Sequence, residues 1–331
     1  MTESRPSPDT APFRDQTWRT KWLVIGGAFL AIWYSVRFVD REWMSQWPSV
    51  LFVLVTGIAP QVFLLLFPLS TRDKDPTKRI AIPGKRRCLV EFAIAIPIVI
   101  VTMIALGGLN YLVGVLSPGK TLTPDAVTSM ASSSPRYIYP LLLFSFTFAP
   151  IAEEFFFRGF IHNAFRQRMP TIAAGLLQSL IFGFCHFFGT THAVIAVVLG
   201  LIITIVYEWR KTLVSPIFVH AGINFISAIG VLGMMAEFSD RPTIGVIGGP
   251  DDTECIVREI IPNSAASESS IAVDDIIVAF DETPITNFSA LATAVSAHQP
   301  NDTVVLRVFR DGETLDIAVT LKRRADTKPP P

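Results

Sequence analysis

Residues 138–160 read Ile-Tyr-Pro-Leu-Leu-Leu-Phe-Ser-Phe-Thr-Phe-Ala-Pro-Ile-Ala-Glu-Glu-Phe-Phe-Phe-Arg-Gly-Phe. A helix crossing a bilayer needs roughly 20 mostly apolar residues, and this run is long enough. Its second half nevertheless carries Glu153, Glu154 and Arg158. Ionisable side chains in hydrocarbon cost roughly 2.5–3.5 kcal/mol on insertion scales and mark function by default. Glu154 and Arg158 are four apart, so on a helix they share a face and pair. Glu153 is rotated from Glu154 by about 100° and points elsewhere, toward a reacting group.

The rest of the chain supports a membrane reading. Of 331 residues, 50% are hydrophobic and 17% charged, with mean hydropathy +0.45. That is too apolar for one soluble globule, and it excludes a disordered or nucleic-acid-binding chain. Seven apolar runs of spanning character are read at about 22–36, 48–69, 89–116, 138–160, 171–188, 192–207 and 212–235. Fifteen basic residues fall in the N-terminal tail and the loops on its side, against four on the other side. This bias places the N-terminus in the cytoplasm. The expected location is the plasma (inner) membrane, and seven crossings set the C-terminal domain on the opposite side.

The zero net charge is a sum of two parts. Up to Arg241 there are 21 Lys and Arg against 14 Asp and Glu; beyond it there are 7 against 14. The texture also changes there. Short alternating runs at 255–261, 276–280, 303–309 and 315–321 read as strands, separated by turn signals such as Asp311-Gly312. Residues 289–298 read as a helix with Ser289 as N-cap. The expected organisation is a cytoplasmic tail (1–21), a multi-pass helical membrane domain (22–237, polar motifs within 150–225), a small α+β domain (242–323) and a disordered tail (324–331).

Few polar residues sit inside the apolar runs. Phe182 and His186 are four apart, which packs a ring beneath an imidazole. His220 and Asn224 are four apart and aim two hydrogen-bonding groups at one point. Counted from the basic end of each helix, Glu153, His186, His220 and Asn224 lie at roughly 20, 24, 15 and 21 Å. Independent structural polar groups have little reason to share one depth. His192 and Glu208 lie near helix ends and His162 in the cytoplasmic extension of its helix, so none of them is assigned to catalysis. His-Glu-x-x-His and Gly-x-Ser-x-Gly are absent. Cys88, Cys185 and Cys255 form neither a disulfide framework nor a thiolate metal site.

Three motifs in order, Glu153-Glu154-x-x-x-Arg158, Phe182-x-x-x-His186 and His220-x-x-x-Asn224, resemble the CPBP family of CAAX proteases and bacteriocin-processing enzymes, also called Abi. Thr243-Ile244-Gly245-Val246, Ile260-Ile261-Pro262-Asn263-Ser264-Ala265-Ala266 and Val273-Asp274-Asp275-Ile276-Ile277 resemble a PDZ domain of the bacterial protease-associated type. The second resemblance departs at Asp274, where that family usually has Gly.

The first resemblance implies intramembrane peptide hydrolysis. Glu153 and His186 would activate water, His220 and Asn224 would stabilise the oxyanion, and Glu154, Arg158 and Phe182 would support them. The second implies a peptide-binding loop at Ile244, Gly245 and Val246 that recruits or gates a membrane-associated protein or peptide. The favoured route needs no cofactor. The alternative mechanism uses zinc on Glu153, His186 and His220 with an open position. Rival functions are a non-enzymatic scaffold or immunity-type protein, and a transporter with a proton relay.

Overall fold

The computed structural model describes residues 25–28, 58–70, 84–116, 135–186, 190–248 and 254–327. The chain divides into two compact units, Met1–Val231 and Leu232–Pro331.

The first unit is helical. Its described elements are α1 (Ala59–Ser70), α2 (Lys85–Leu116), α3 (Pro135–Phe146), α4 (Phe148–Glu154), a π-helix (Phe155–His162), α5 (Asn163–Arg166), α6 (Thr171–Cys185) and α7 (Thr190–Arg210). α8 (Val214–Asp240) begins in this unit. α2 is apolar all round and leaves Leu89, Val101, Ile104 and Leu116 each more than 60% exposed. Such a surface suits lipid rather than water. One buried ion cluster ties three helices together. Glu91 on α2 is fully buried, accepts from Arg210 on α7 at 2.9 and 3.0 Å, and accepts from the Ser215 hydroxyl on α8.

Of the seven expected spans, three or four are found among the described residues. Among the described residues, α2, the stretch His192–Arg210 and α8 are long and apolar enough to cross a membrane. The run 138–160 is not one straight rod. Ile138–Phe146 and Phe148–Arg166 meet at a 44° bend, and counting the pair as one span gives up to four. Pro150 explains the bend. It lacks the N–H that would bond to the carbonyl of Phe146, and its ring crowds that carbonyl. Thr147 reinforces it, its hydroxyl donating to Leu143 O at 2.7 Å. α6 is apolar but has 15 residues, short of a span. Of the run expected at 22–36 only 25–28 are described, and of the run at 48–69 the part 58–69, which forms α1, is described while 48–57 lie outside the described residues.

The second unit is β-rich. Its strands are β1 (Pro242–Thr243), β2 (Val246–Ile247), β3 (Glu259–Ile260), β4 (Ile276–Phe280), β5 (Thr283–Pro284), β6 (Thr303–Arg310), β7 (Glu313–Thr320) and β8 (Lys322–Arg323), with α9 at Phe288–Ser296. A four-stranded sheet runs β5-β4-β6-β7, and β1 pairs β8 and β2 pairs β3, each antiparallel. Along β6, Val304, Leu306 and Val308 are buried while Val305, Arg307 and Phe309 are exposed. This is the period-2 pattern of a half-buried strand. The β6–β7 turn uses Asp311 and Gly312 at positive φ (52° and 86°), as a two-residue hairpin requires.

Asp274, where the PDZ resemblance expects Gly, adopts φ 72°. Aspartate tolerates that left-handed region, so the turn survives the departure. The helix N-cap is Asn287 rather than Ser289: its side chain accepts from Ala290 N at 2.9 Å. The expected tail opens with a 3₁₀ turn at Arg324–Asp326, and residues 328–331 lie outside the described residues.

Candidate active site

The π-helix starts immediately after Glu154 and carries Arg158 and His162. Its wide i→i+5 turns are frequent at functional sites. Glu153, Glu154 and Arg158 are all buried, the last two completely. Arg158 NH1 donates to Glu154 Oε1 at 2.8 Å and NH2 donates to Gly200 O at 3.0 Å. The expected Glu154–Arg158 pair is therefore formed, and it is also anchored to α7.

The two imidazoles converge on Glu153. His186 Nε2 lies 3.4 Å from Glu153 Oε2 and His220 Nε2 lies 3.8 Å from it. Their other nitrogens are fixed. His186 Nδ1 is 2.8 Å from Phe182 O and His220 Nδ1 is 2.8 Å from Glu154 Oε1. A carbonyl oxygen and an Arg-paired carboxylate only accept, so both Nδ1 atoms carry hydrogen. Each Nε2 is then the nitrogen that gains or loses a proton facing Glu153. Glu153 Oε2 itself accepts no hydrogen bond among the described residues.

Phe182 wedges the site together. Its ring centroid is 4.3 Å from that of His186 and 5.8 Å from that of His220, and Arg158 sits 4.8 Å above the ring. This is the stacking that the four-residue spacing predicts. Asn224 is turned another way: Nδ2 donates to Ser145 O on α3 at 2.8 Å. An amide nitrogen has two hydrogens, so one is committed to the backbone.

Two partners escaped the sequence reading. Gln61 on α1 donates from Nε2 to Glu153 Oε1 at 2.6 Å. A polar amide inside the run 48–69 was the available signal. His162, fully buried, pairs with Glu208 at 2.8 Å, and Arg166 and Lys211 join that carboxylate. Among the described residues, no group of three or more His, Cys, Asp or Glu is placed to hold a metal ion.

In the second unit, Gly245 takes φ 82° between buried Ile244 and half-buried Val246. A Cβ there would lie 2.1 Å from Ser264 Cβ, so the loop admits only glycine. Ile261 N donates to Gly245 O and Ala266 N to Ile244 O, which fixes the loop. The Val273–Ile277 turn is fixed by Asp275, which Arg310 grips through Nε at 2.6 Å and NH2 at 2.7 Å.

Comparisons with known proteins agree with this division. Residues 135–226 match the family described as type II CAAX prenyl endopeptidase Rce1-like, and residues 230–321 match the PDZ domain. The putative membrane peptidase YdiL of Bacillus subtilis is 28% identical over 112 residues, covering 33% of this chain and 46% of that protein. A probable periplasmic serine endoprotease, DegP-like, of Chlamydia trachomatis is 33% identical over 66 residues, covering 20% of this chain and 13% of that protein. Each match spans under half of the relative's length. Among solved structures, the HtrA-type protease AlgW with decapeptide aligns over 31% of this chain and 35% of that chain at 18% identity and TM-score 0.25. The chain thus joins an Rce1-like CAAX protease domain at residues 135–226 to a PDZ domain at residues 230–321.

Proposed function

We propose that the chain is an intramembrane endopeptidase of the glutamate type, cleaving a membrane-associated protein or peptide. The observation that carries this is the convergence of two Nδ1-anchored imidazoles on one free carboxylate oxygen, Glu153 Oε2. In the proposed reaction Glu153 Oε2, aided by His186, takes a proton from water, and the hydroxide adds to the scissile carbonyl carbon. The carbonyl π pair moves to oxygen. His220 donates to that oxyanion from Nε2 in its charged form, with Glu154 compensating the charge at Nδ1, and the second N–H of Asn224 joins it. Such donors contribute roughly 3–4 kcal/mol each in a dry site. As the C–N bond breaks, the proton held on Glu153 passes to the leaving amine.

The PDZ domain recruits or gates the substrate by adding the extended peptide to a strand edge next to the Ile244-Gly245-Val246 loop. The excess of basic residues supports a cytoplasmic N-terminus.

The test is comparative proteomics of cells carrying wild type or Glu153→Ala, followed by cleavage of the accumulating precursor by purified protein. Glu153→Ala and His186→Ala should abolish cleavage while folding is kept. Full complementation by Glu153→Ala would instead favour the non-enzymatic scaffold. Activity that survives a chelator, in protein free of metal by elemental analysis, separates the glutamate route from zinc held by Glu153, His186 and His220.

A further inference from the structure

Gln61 belongs to α1, outside both regions matched by family models. Its side chain reaches across 92 positions to Glu153, with the residue only 8% exposed. Of the two ends of the amide, only the NH2 end suits an ionised carboxylate, because the carbonyl end would set acceptor against acceptor. Bonds of this charge-assisted kind are short and strong.

The two oxygens of Glu153 therefore have different surroundings. Oε1 is held by Gln61, while Oε2 faces the imidazoles. The terminal torsion of a glutamate is broad, so an unheld carboxylate turns easily. α1 itself is anchored by ring contacts: Phe67 lies 6.1 Å from Phe156 and 5.4 Å from Phe160. This seats Gln61 on a packed helix rather than on a loop.

Gln61 Oε1 is buried without a hydrogen bond among the described residues. The polar contact that holds the side chain is therefore the one from Nε2 to Glu153. We propose that Gln61 is a positioning residue: it clamps Oε1 of Glu153 so that Oε2 stays aimed between His186 and His220. This rests on the reading of Glu153 as the base.

The test uses the full chain in proteoliposomes with an internally quenched peptide ending in a farnesylated CAAX box as probe. Gln61→Leu should lower kcat about 10- to 100-fold with KM nearly unchanged, the signature of a misaimed reacting group. Gln61→Glu should be active at low pH, where the new carboxyl keeps a proton to donate, and lose activity as that proton leaves. Full kcat in Gln61→Leu, or a wild-type pH profile in Gln61→Glu, overturns the proposal. Equal activity of wild type and Glu153→Ala overturns the base assignment instead. In that case the 15N-labelled side-chain amide of Gln61 decides the clamp: its proton shift should move between wild type and Glu153→Ala, and an unmoved shift refutes it.

Discussion

Replacing Gly183 by alanine should damage the active site without touching any reacting group. Gly183 lies on α6, three residues before His186, where α6 meets α7. A Cβ at this position would come within 2.2 Å of Val197 Cγ2, 2.8 Å of Ala193 O and 2.9 Å of Val197 N. Rotating Val197 does not relieve this, because two of the three atoms are backbone and a helical valine holds one rotamer about nine times in ten. Restoring ordinary contact near 3.4 Å to those backbone atoms requires the helices to part by about 0.6 Å, and by more if the valine methyl stays. Overpacking of this kind costs about 1–3 kcal/mol. His186 stands 3.4 Å from Glu153 Oε2 at the end of the displaced helix. A misplacement near 1 Å costs up to about 100-fold in rate, so a 10- to 100-fold fall in kcat is expected. The assay is cleavage of the accumulating precursor, with thermal unfolding measured in parallel. Gly230→Ala on α8 is the control, since nothing lies within 4 Å of a Cβ there. It should be neutral or gain about 0.5–1 kcal/mol from helix propensity. Gly183→Ala matching Gly230→Ala in both activity and stability would refute the argument.

Two further predictions concern the PDZ unit. Burial alone would raise the carboxyl of Asp275, but the hydrogen bonds from Arg310 and from Ala272 N outweigh it and hold the group below its ordinary value. A lowered folded-state value means that stabilisation is complete above the unfolded carboxyl's range, near pH 4, and is lost as pH falls through the folded value. Protection factors of the β4 amides should therefore fall below about pH 4 in wild type, and Asp275→Asn should lose about 1–3 kcal/mol at neutral pH; unchanged protection in the variant would sink this. Gly245→Ala should destabilise the same unit by about 1–3 kcal/mol and weaken peptide binding, because its Cβ would collide with buried Ser264; wild-type melting and binding would count against it.

Local spacing made part of this site legible. Glu154 and Arg158, or Phe182 and His186, are one helical turn apart, and such pairs meet whatever surrounds them. The alternation of β6 is equally local. What escaped depends on distant chain segments. Nothing near Glu153 in sequence announces Gln61, and the spacing of His220 and Asn224 does not reveal that one turns to Glu154 and the other to Ser145. The bend at Thr147 was written in Pro150, but an apolar count over 138–160 runs straight through a proline. The N-cap at Asn287 was missed because Asn and Ser are both good caps two positions apart, and only backbone angles choose between them.

One oxygen links positions on three helical elements. Glu154 Oε1 accepts from Arg158 and from His220 together. Substitutions at 154, 158 and 220 are therefore not independent events in the history of the chain. Once the oxygen is gone, the arginine is an unpaired buried charge and the imidazole is free to turn, so a change at either of those positions has a different effect from the one it had before. Viable sequences should alter the three as a group, and a lineage that loses Glu154 opens a route of drift closed to one that keeps it.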